Sequence, residues 1–303
     1  MKNENRGVIL AIAAAIVSGM AIPANKFFEV NLDPAVFTAV RAVIIGIVFF
    51  FIASYQAKKQ NRHFRSVPWR YLLAIAIIGG AAAFLLYFTG LKLTTAGRAA
   101  FLYHSVLTIS TVLFAAAFLN ERINGKMAIA LLIMLAGVVT LYVSQVPQSR
   151  LWSDPSLGDT LVIAASVLWG AEYVISKSAI GLGETNFVIS FARMFFGGLV
   201  LFGFVVISGN LGQLLSLTLQ AWINIFASTL LLFADVLFWY WSIMYINVSK
   251  ATMLLLIAPV ISLLGGILWL GEPAPLMQIA GSLIILAGAY FVIGVRSGHK
   301  DKK

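Results

Sequence analysis

Apolar residues in this chain run in long, nearly unbroken stretches. Ten such stretches are separated by short polar segments, at 7–27, 34–56, 70–91, 97–119, 126–146, 159–180, 186–207, 221–245, 249–270 and 275–295. Each is about the 20 residues that an α-helix needs to cross the hydrocarbon core of a bilayer. Backbone N–H and C=O groups find no water there, so helices that satisfy them internally are the expected form. The pattern predicts an all-α integral membrane protein with ten transmembrane helices. Connections are short apart from 57–69, 147–158 and 208–220, and Ser153-Asp154-Pro155-Ser156 marks a link between two halves.

The stretches form one design written twice, 151 residues apart. Gly7, Leu10, Ala13, Ala14, Gly19 and Lys26 recur as Gly158, Leu161, Ala164, Ala165, Gly170 and Lys177. Ala100, Leu113, Glu121 and Leu135-Ala136-Gly137 recur as Ala251, Leu264, Glu272 and Leu286-Ala287-Gly288. Arg41 recurs as Arg193, one residue further on. Residues 1–150 and 151–303 are therefore expected to be two five-helix repeats. Five is odd, so the second copy enters the membrane from the opposite side. Such inverted repeats are a common plan of secondary transporters.

Composition narrows the class. The chain is 61% hydrophobic and 11% charged, too apolar for a soluble domain of 303 residues. It has no Cys, which excludes disulfides and thiolate sites, and its three His, at 63, 104 and 299, are too scattered for zinc. No metal and no cofactor are expected. The net charge of +10 has a membrane explanation rather than a nucleic-acid one. With the N-terminus inside, fifteen of the 21 Lys and Arg fall in inside segments and four in outside ones, with Arg41 and Arg193 within spans. That bias places both termini in the cytoplasm of a multi-pass plasma (cytoplasmic) membrane protein. The first stretch follows Lys2 and Arg6 as a signal peptide would, but its repeat mate is internal, so it is read as a retained span. Expected partners are the lipid bilayer and a small-molecule substrate, with a monomer or a homodimer as the assembly.

Ionisable groups inside a membrane are costly and call for a reason. Of eleven acids, only Glu172 and Asp235 lie deep within spans. Trp169, Glu172, Tyr173 and Ser176 share one helical face, and so do Asp235, Phe238, Trp239 and Ser242. Acids flanked by aromatics in spans 6 and 8 suit an organic cation or amine. The alternative is that each acid pairs with a neighbouring Lys, Arg or hydroxyl and only holds helices together. Tyr103 and His104 in span 4 and Tyr87 in span 3 add polar tips. The substrate-binding candidates are thus Trp169, Glu172, Tyr173, Asp235, Trp239, Tyr103, His104 and Tyr87. Proton-coupling candidates are Glu172, Asp235 and His104. Arg41 and Arg193 are expected in a scaffold or gating ion pair, Lys26 and Lys177 as interfacial anchors, and Glu121 and Glu272 as groups that cap or pair locally. Pro23 and Pro259 predict kinks. Gly281 and Gly288, with Gly137, predict close helix packing inside the molecule, with a dimer face as the alternative.

The two copies differ where chemistry is expected. Glu172 answers to Ala21, Trp169 to Ser18, Asp235 to Phe84 and Trp239 to Phe88. Likewise Phe238 answers to Tyr87, His104 to Leu255 and Tyr103 to Leu254. Matched positions are Gly, Ala, Leu and helix-end charges, which are scaffold types. Unmatched ones are buried polar and aromatic residues, which points to a single asymmetric site between the halves.

The ten spans in two copies, Trp169-Gly170 in span 6, Leu119-Asn120-Glu121, Leu270-Gly271-Glu272-Pro273 and the closing Leu-Ala-Gly resemble the drug/metabolite transporter superfamily, most of all its EamA-type members. The resemblance implies an inverted repeat around a central cavity lined by spans 1, 3, 4, 6, 8 and 9, working by alternating access. Ser18-Gly19 departs from the Trp-Gly that often stands in span 1. The expected function is secondary active transport of a small polar metabolite, an amino acid or related amine, in the export direction, with proton coupling as an option. The acids would hold the ammonium, the aromatics the carbon skeleton, and His104, Tyr103 or backbone N–H groups a carboxylate. The alternatives are an organic-cation carrier with Trp169, Tyr173 and Trp239 as an aromatic cage, and a channel. An intramembrane enzyme is disfavoured, because no Cys, His pair or Ser/His/Asp set is present, and no catalytic residue is assigned.

Overall fold

The computed structural model describes residues 2–27, 32–59, 68–145 and 156–295. Within them lie ten helices long and apolar enough to cross a membrane. They are α1 (Lys2–Phe27), α2 (Pro34–Lys59), α3 (Trp69–Leu93), α4 (Ala96–Phe118), α5 (Gly125–Gln145), α6 (Leu157–Gly181), α7 (Asn186–Ile207), α8 (Leu219–Tyr245), α9 (Val248–Leu270) and α10 (Leu276–Gly294). The hydropathy pattern placed all ten, with ends displaced by a few residues.

Local chemistry sets several of the ends. Ser156 and Asp159 form a capping box at the start of α6, and Thr95, Thr185 and Thr218 cap α4, α7 and α8 through their hydroxyls. Asn120 and Gly271, equivalent in the two copies, both take left-handed backbone, with φ of 54° and 64°. Each turns the chain back, so that Glu121 N donates to Ala115 O and Glu272 N to Gly266 O. The Leu-Asn-Glu and Leu-Gly-Glu elements are therefore two versions of one helix stop.

Contacts are exchanged between the copies. α1 packs on α8 and α9 of the second copy, while α6 packs on α3 and α4 of the first. α2 packs against α7 and α5 against α10. The glycine stripe of α10 is used inside the molecule: a Cβ on Gly281 would stand 2.9 Å from Gly137 O, and one on Gly288 2.4 Å from Met134 Cγ. Large apolar side chains such as Phe51, Leu132, Leu268 and Tyr290 remain on the outside, where lipid replaces water.

Three helices are irregular where they meet the interior. α3 is π-helical over Ile75–Ala82 and α7 over Ala192–Phe196, and the two segments touch. α9 breaks between Leu255 and Ala258, with Pro259 restarting it. Tight bonds from Leu256 N to Met253 O, Ile257 N to Leu254 O and Val260 N to Ile257 O bridge the break. The kink expected from Pro259 is present; the side chains of Pro23, Asn25 and Lys26 lie outside the described residues.

Candidate substrate-binding site

Glu172 is fully buried in α6 and sits at the centre of a polar knot. Ser176, one turn on, donates to its Oε1, and the Tyr240 hydroxyl of α8 donates to the same oxygen at 2.7 Å. Arg193, in the π-helical turn of α7, lies 3.7 Å from Oε2 through its Nε and donates from Nη1 to the Tyr240 hydroxyl at 3.3 Å. Gly79 makes the space: a Cβ there would stand 2.2 Å from Glu172 Cγ. The Trp169 indole N–H donates to Gly79 O at 3.0 Å, fixing α6 to the irregular part of α3.

Trp169 anchors an aromatic wall. Its ring centroid lies 5.1 Å from Phe84, 5.4 Å from Tyr87 and 5.3 Å from Tyr103. Tyr173 and Trp239 form a second pair at 4.2 Å, joining α6 to α8. The Arg193 guanidinium lies within 6.0 Å of the rings of Phe84, Tyr173 and Tyr240, so one face of this aromatic set already serves a cation of the protein.

Asp235 differs from Glu172. It is half-buried, and among the described residues its carboxylate takes no hydrogen bond and lies in no ion pair. The fields of Arg193 and Arg41 both reach it, from α7 and α2. Trp239, one turn along α8, has a buried indole N–H without an acceptor among the described residues. Six of the eight candidates, Tyr87, Tyr103, Trp169, Glu172, Tyr173 and Trp239, thus gather in two linked clusters. Asp235 stands one turn from Trp239.

His104 touches the Tyr103 ring at 4.9 Å, but it also lines a cavity of about 530 Å³ between α4, α5, α9 and α10. Glu272, Tyr142, Pro259 and Gln278 share that cavity, which touches neither Asp235 nor Glu172. Sequence reasoning did not single out Tyr240. Tyr240 lies off the Asp235–Trp239 face, and its mate is Thr89, so the comparison of copies contained the signal.

Ten membrane helices with buried acids and arginines are the build of a multi-pass membrane protein. The chain belongs to the EamA-like transporter family, whose model matches residues 5–143 and again 156–294. Both ends of the second match lie 151 residues beyond those of the first. The chain is 25% identical to an uncharacterized transporter of Archaeoglobus fulgidus, over 95% of this chain and 99% of that protein. It is 26% identical to the uncharacterized transporter YoaV of Bacillus subtilis, over 92% of this chain and 94% of that one. A solved crystal structure superposes with a TM-score of 0.76 at 17% identity, over 94% of this chain and 96% of that one, a likeness of fold.

Proposed function

We propose that this transporter is a secondary active carrier of a small polar metabolite, an amino acid or related amine. It works by alternating access in the plasma membrane with export as its direction and both termini cytoplasmic. The observation that carries this reading is Asp235. A half-buried carboxylate held among membrane helices, without a partner within bonding distance among the described residues, is costly unless a ligand or a proton completes it. The Tyr173–Trp239 pair beside it supplies a surface for a carbon skeleton. Glu172 is taken up by Ser176, Tyr240 and Arg193, so among the proton-coupling candidates Asp235 is favoured over Glu172 and His104. The same aromatic pair supports a second reading, an organic-cation carrier. Two arginines near Asp235 weigh against it, because they repel a ligand that is only positive.

Proteoliposomes decide. Trans-stimulated uptake of a labelled amino acid or amine, driven by a proton gradient and lost in Asp235→Asn, is the expected result. Flux without counterflow marks a channel. An Asp235→Asn protein with full pH-dependent transport sinks the assignment.

A further inference from the structure

Arg41 and Arg193 are repeat mates, yet their surroundings differ. Arg193 has Glu172 at 3.7 Å and the Tyr240 hydroxyl at 3.3 Å. The positions equivalent to Glu172 and Tyr240 in the first copy are Ala21 and Thr89. Arg41 is 6% exposed, and among the described residues no carboxylate lies in ion-pair range of it. It donates from Nη2 to Ser228 O at 2.8 Å and lies over the Phe37 ring at 4.6 Å, while its buried Nε has no acceptor among the described residues. A buried guanidinium offers five donors in a fork that fits a carboxylate. Here one backbone carbonyl takes the place that a carboxylate holds in the other copy.

Asp235 has the complementary deficit. Ser228 and Asp235 are seven residues apart on one face of α8, so Arg41 is anchored two turns, about 10 Å along the axis, from the acid. The two opposite charges sense one another without meeting. An α-amino acid with a hydrogen bond at each end spans about 9 Å from donor nitrogen to acceptor oxygen.

The geometry points to a zwitterion clamp: Arg41 takes the carboxylate of the substrate and Asp235 its ammonium, with Tyr173 and Trp239 against the side chain. This rests on the carrier reading above and narrows its substrate class to molecules with both a free carboxylate and a free ammonium. Decarboxylated amines and carboxyl esters are excluded, because each leaves the Arg41 fork buried and empty.

The test uses the purified full chain and thermal stabilisation, with the twenty amino acids as probes, each beside its methyl ester and decarboxylated amine. A ligand that binds only the folded state raises the melting temperature. At least one amino acid is expected to stabilise the protein where its ester and amine do not. Arg41→Gln is expected to weaken that amino acid by about 10- to 100-fold, which removes its advantage over its ester and amine. Equal stabilisation by ester or amine, or unchanged discrimination in Arg41→Gln, overturns the clamp. If the Gln variant does not fold, Arg41→Lys is expected to keep the preference for the free acid at weaker affinity, and wild-type affinity there overturns it equally. Stabilisation by amines or quaternary ammonium compounds alone defeats the clamp but leaves the carrier reading standing. No stabilisation together with no counterflow defeats both.

Discussion

The two intramembrane acids should fail in opposite ways when neutralised. Glu172→Gln keeps an oxygen for the Ser176 and Tyr240 hydroxyls but removes the charge beside Arg193. At 3.7 Å and an effective dielectric constant near 20, the lost attraction is about 4 kcal/mol. The Arg193 side chain is only 8% exposed, so water cannot replace the carboxylate, and breaking a buried pair from one side is among the costlier substitutions. The field of Asp235 offsets part of the loss, which leaves an expected destabilisation of ~2–4 kcal/mol. Asp235→Asn removes a charge that has no hydrogen bond, so its stability should change by less than about 1 kcal/mol while transport is lost. Equilibrium unfolding in mixed micelles of rising SDS content, read by the fluorescence of the seven Trp, measures the first quantity. Counterflow in proteoliposomes measures the second. The reasoning is refuted if Asp235→Asn loses more stability than Glu172→Gln, or if Glu172→Gln unfolds with the wild type.

Two further outcomes are expected. Gly79→Ala should destabilise by about 1–3 kcal/mol, since its Cβ would overlap Glu172, whereas Gly203→Ala, with nothing within 4 Å, should be neutral or stabilising; equal unfolding midpoints would deny the tight contact. At the bundle end away from Lys177 and Lys250, burial raises the Asp33 carboxyl. The Lys92 ammonium and the Ala35 N–H outweigh that and hold it below its ordinary 3.8. A depressed acid contributes stability above its unfolded pKa and loses it as pH falls through the folded value. Wild type and Asp33→Asn should therefore differ by a few tenths of a kcal/mol at neutral pH and converge below pH 3.8, as a melting series against pH would show.

Summed properties were legible in the sequence, and partner choice was not. Ten spans follow from hydropathy, because a bilayer imposes the same demand on every helix. Asn120 and Gly271 could be read as helix stops, since left-handed backbone favours those residue types. Glu172 and Asp235 looked alike, each sharing a helical face with two aromatics, Trp169 and Tyr173 for the first and Phe238 and Trp239 for the second. Their difference comes from Arg193 and Tyr240, which reach Glu172 from other helices. The π-helical turns that bring Arg193 and Gly79 to Glu172 shift the hydrogen bonding of a few residues and leave no mark in hydropathy. Two helix-end readings needed correction. Lys177 donates to Ile243 O and Ile246 O, closing the end of α8 rather than anchoring in the interface. Glu121 caps the first turn of α9, accepting from Val248 N at 2.9 Å and Ser249 N at 3.1 Å, rather than acting locally.

Helix-end contacts bear on how a carrier of this kind would move. At the basic end, Glu121 ties α4 to α9, Lys177 ties α6 to α8, and the buried Lys250 of α9 reaches Glu4, Ile293 O and Val295 O. Arg6 lies over the rings of Trp241 and Tyr245, adding α1 to α8. Most of these ties use a charged side chain on backbone groups at a helix terminus, where unpaired N–H or C=O groups already wait. Water that enters on opening satisfies the same groups, so the net cost of release per bond is small, on the order of 1 kcal/mol. The Glu172 knot, in contrast, lies where no water is at hand, and its opening would strand Arg193. Physical chemistry therefore separates the charged groups into helix-end ties whose release costs little, a buried knot around Glu172 that joins α3, α6, α7 and α8, and the Asp235 and Arg41 pair, which the proposed clamp reserves for a substrate.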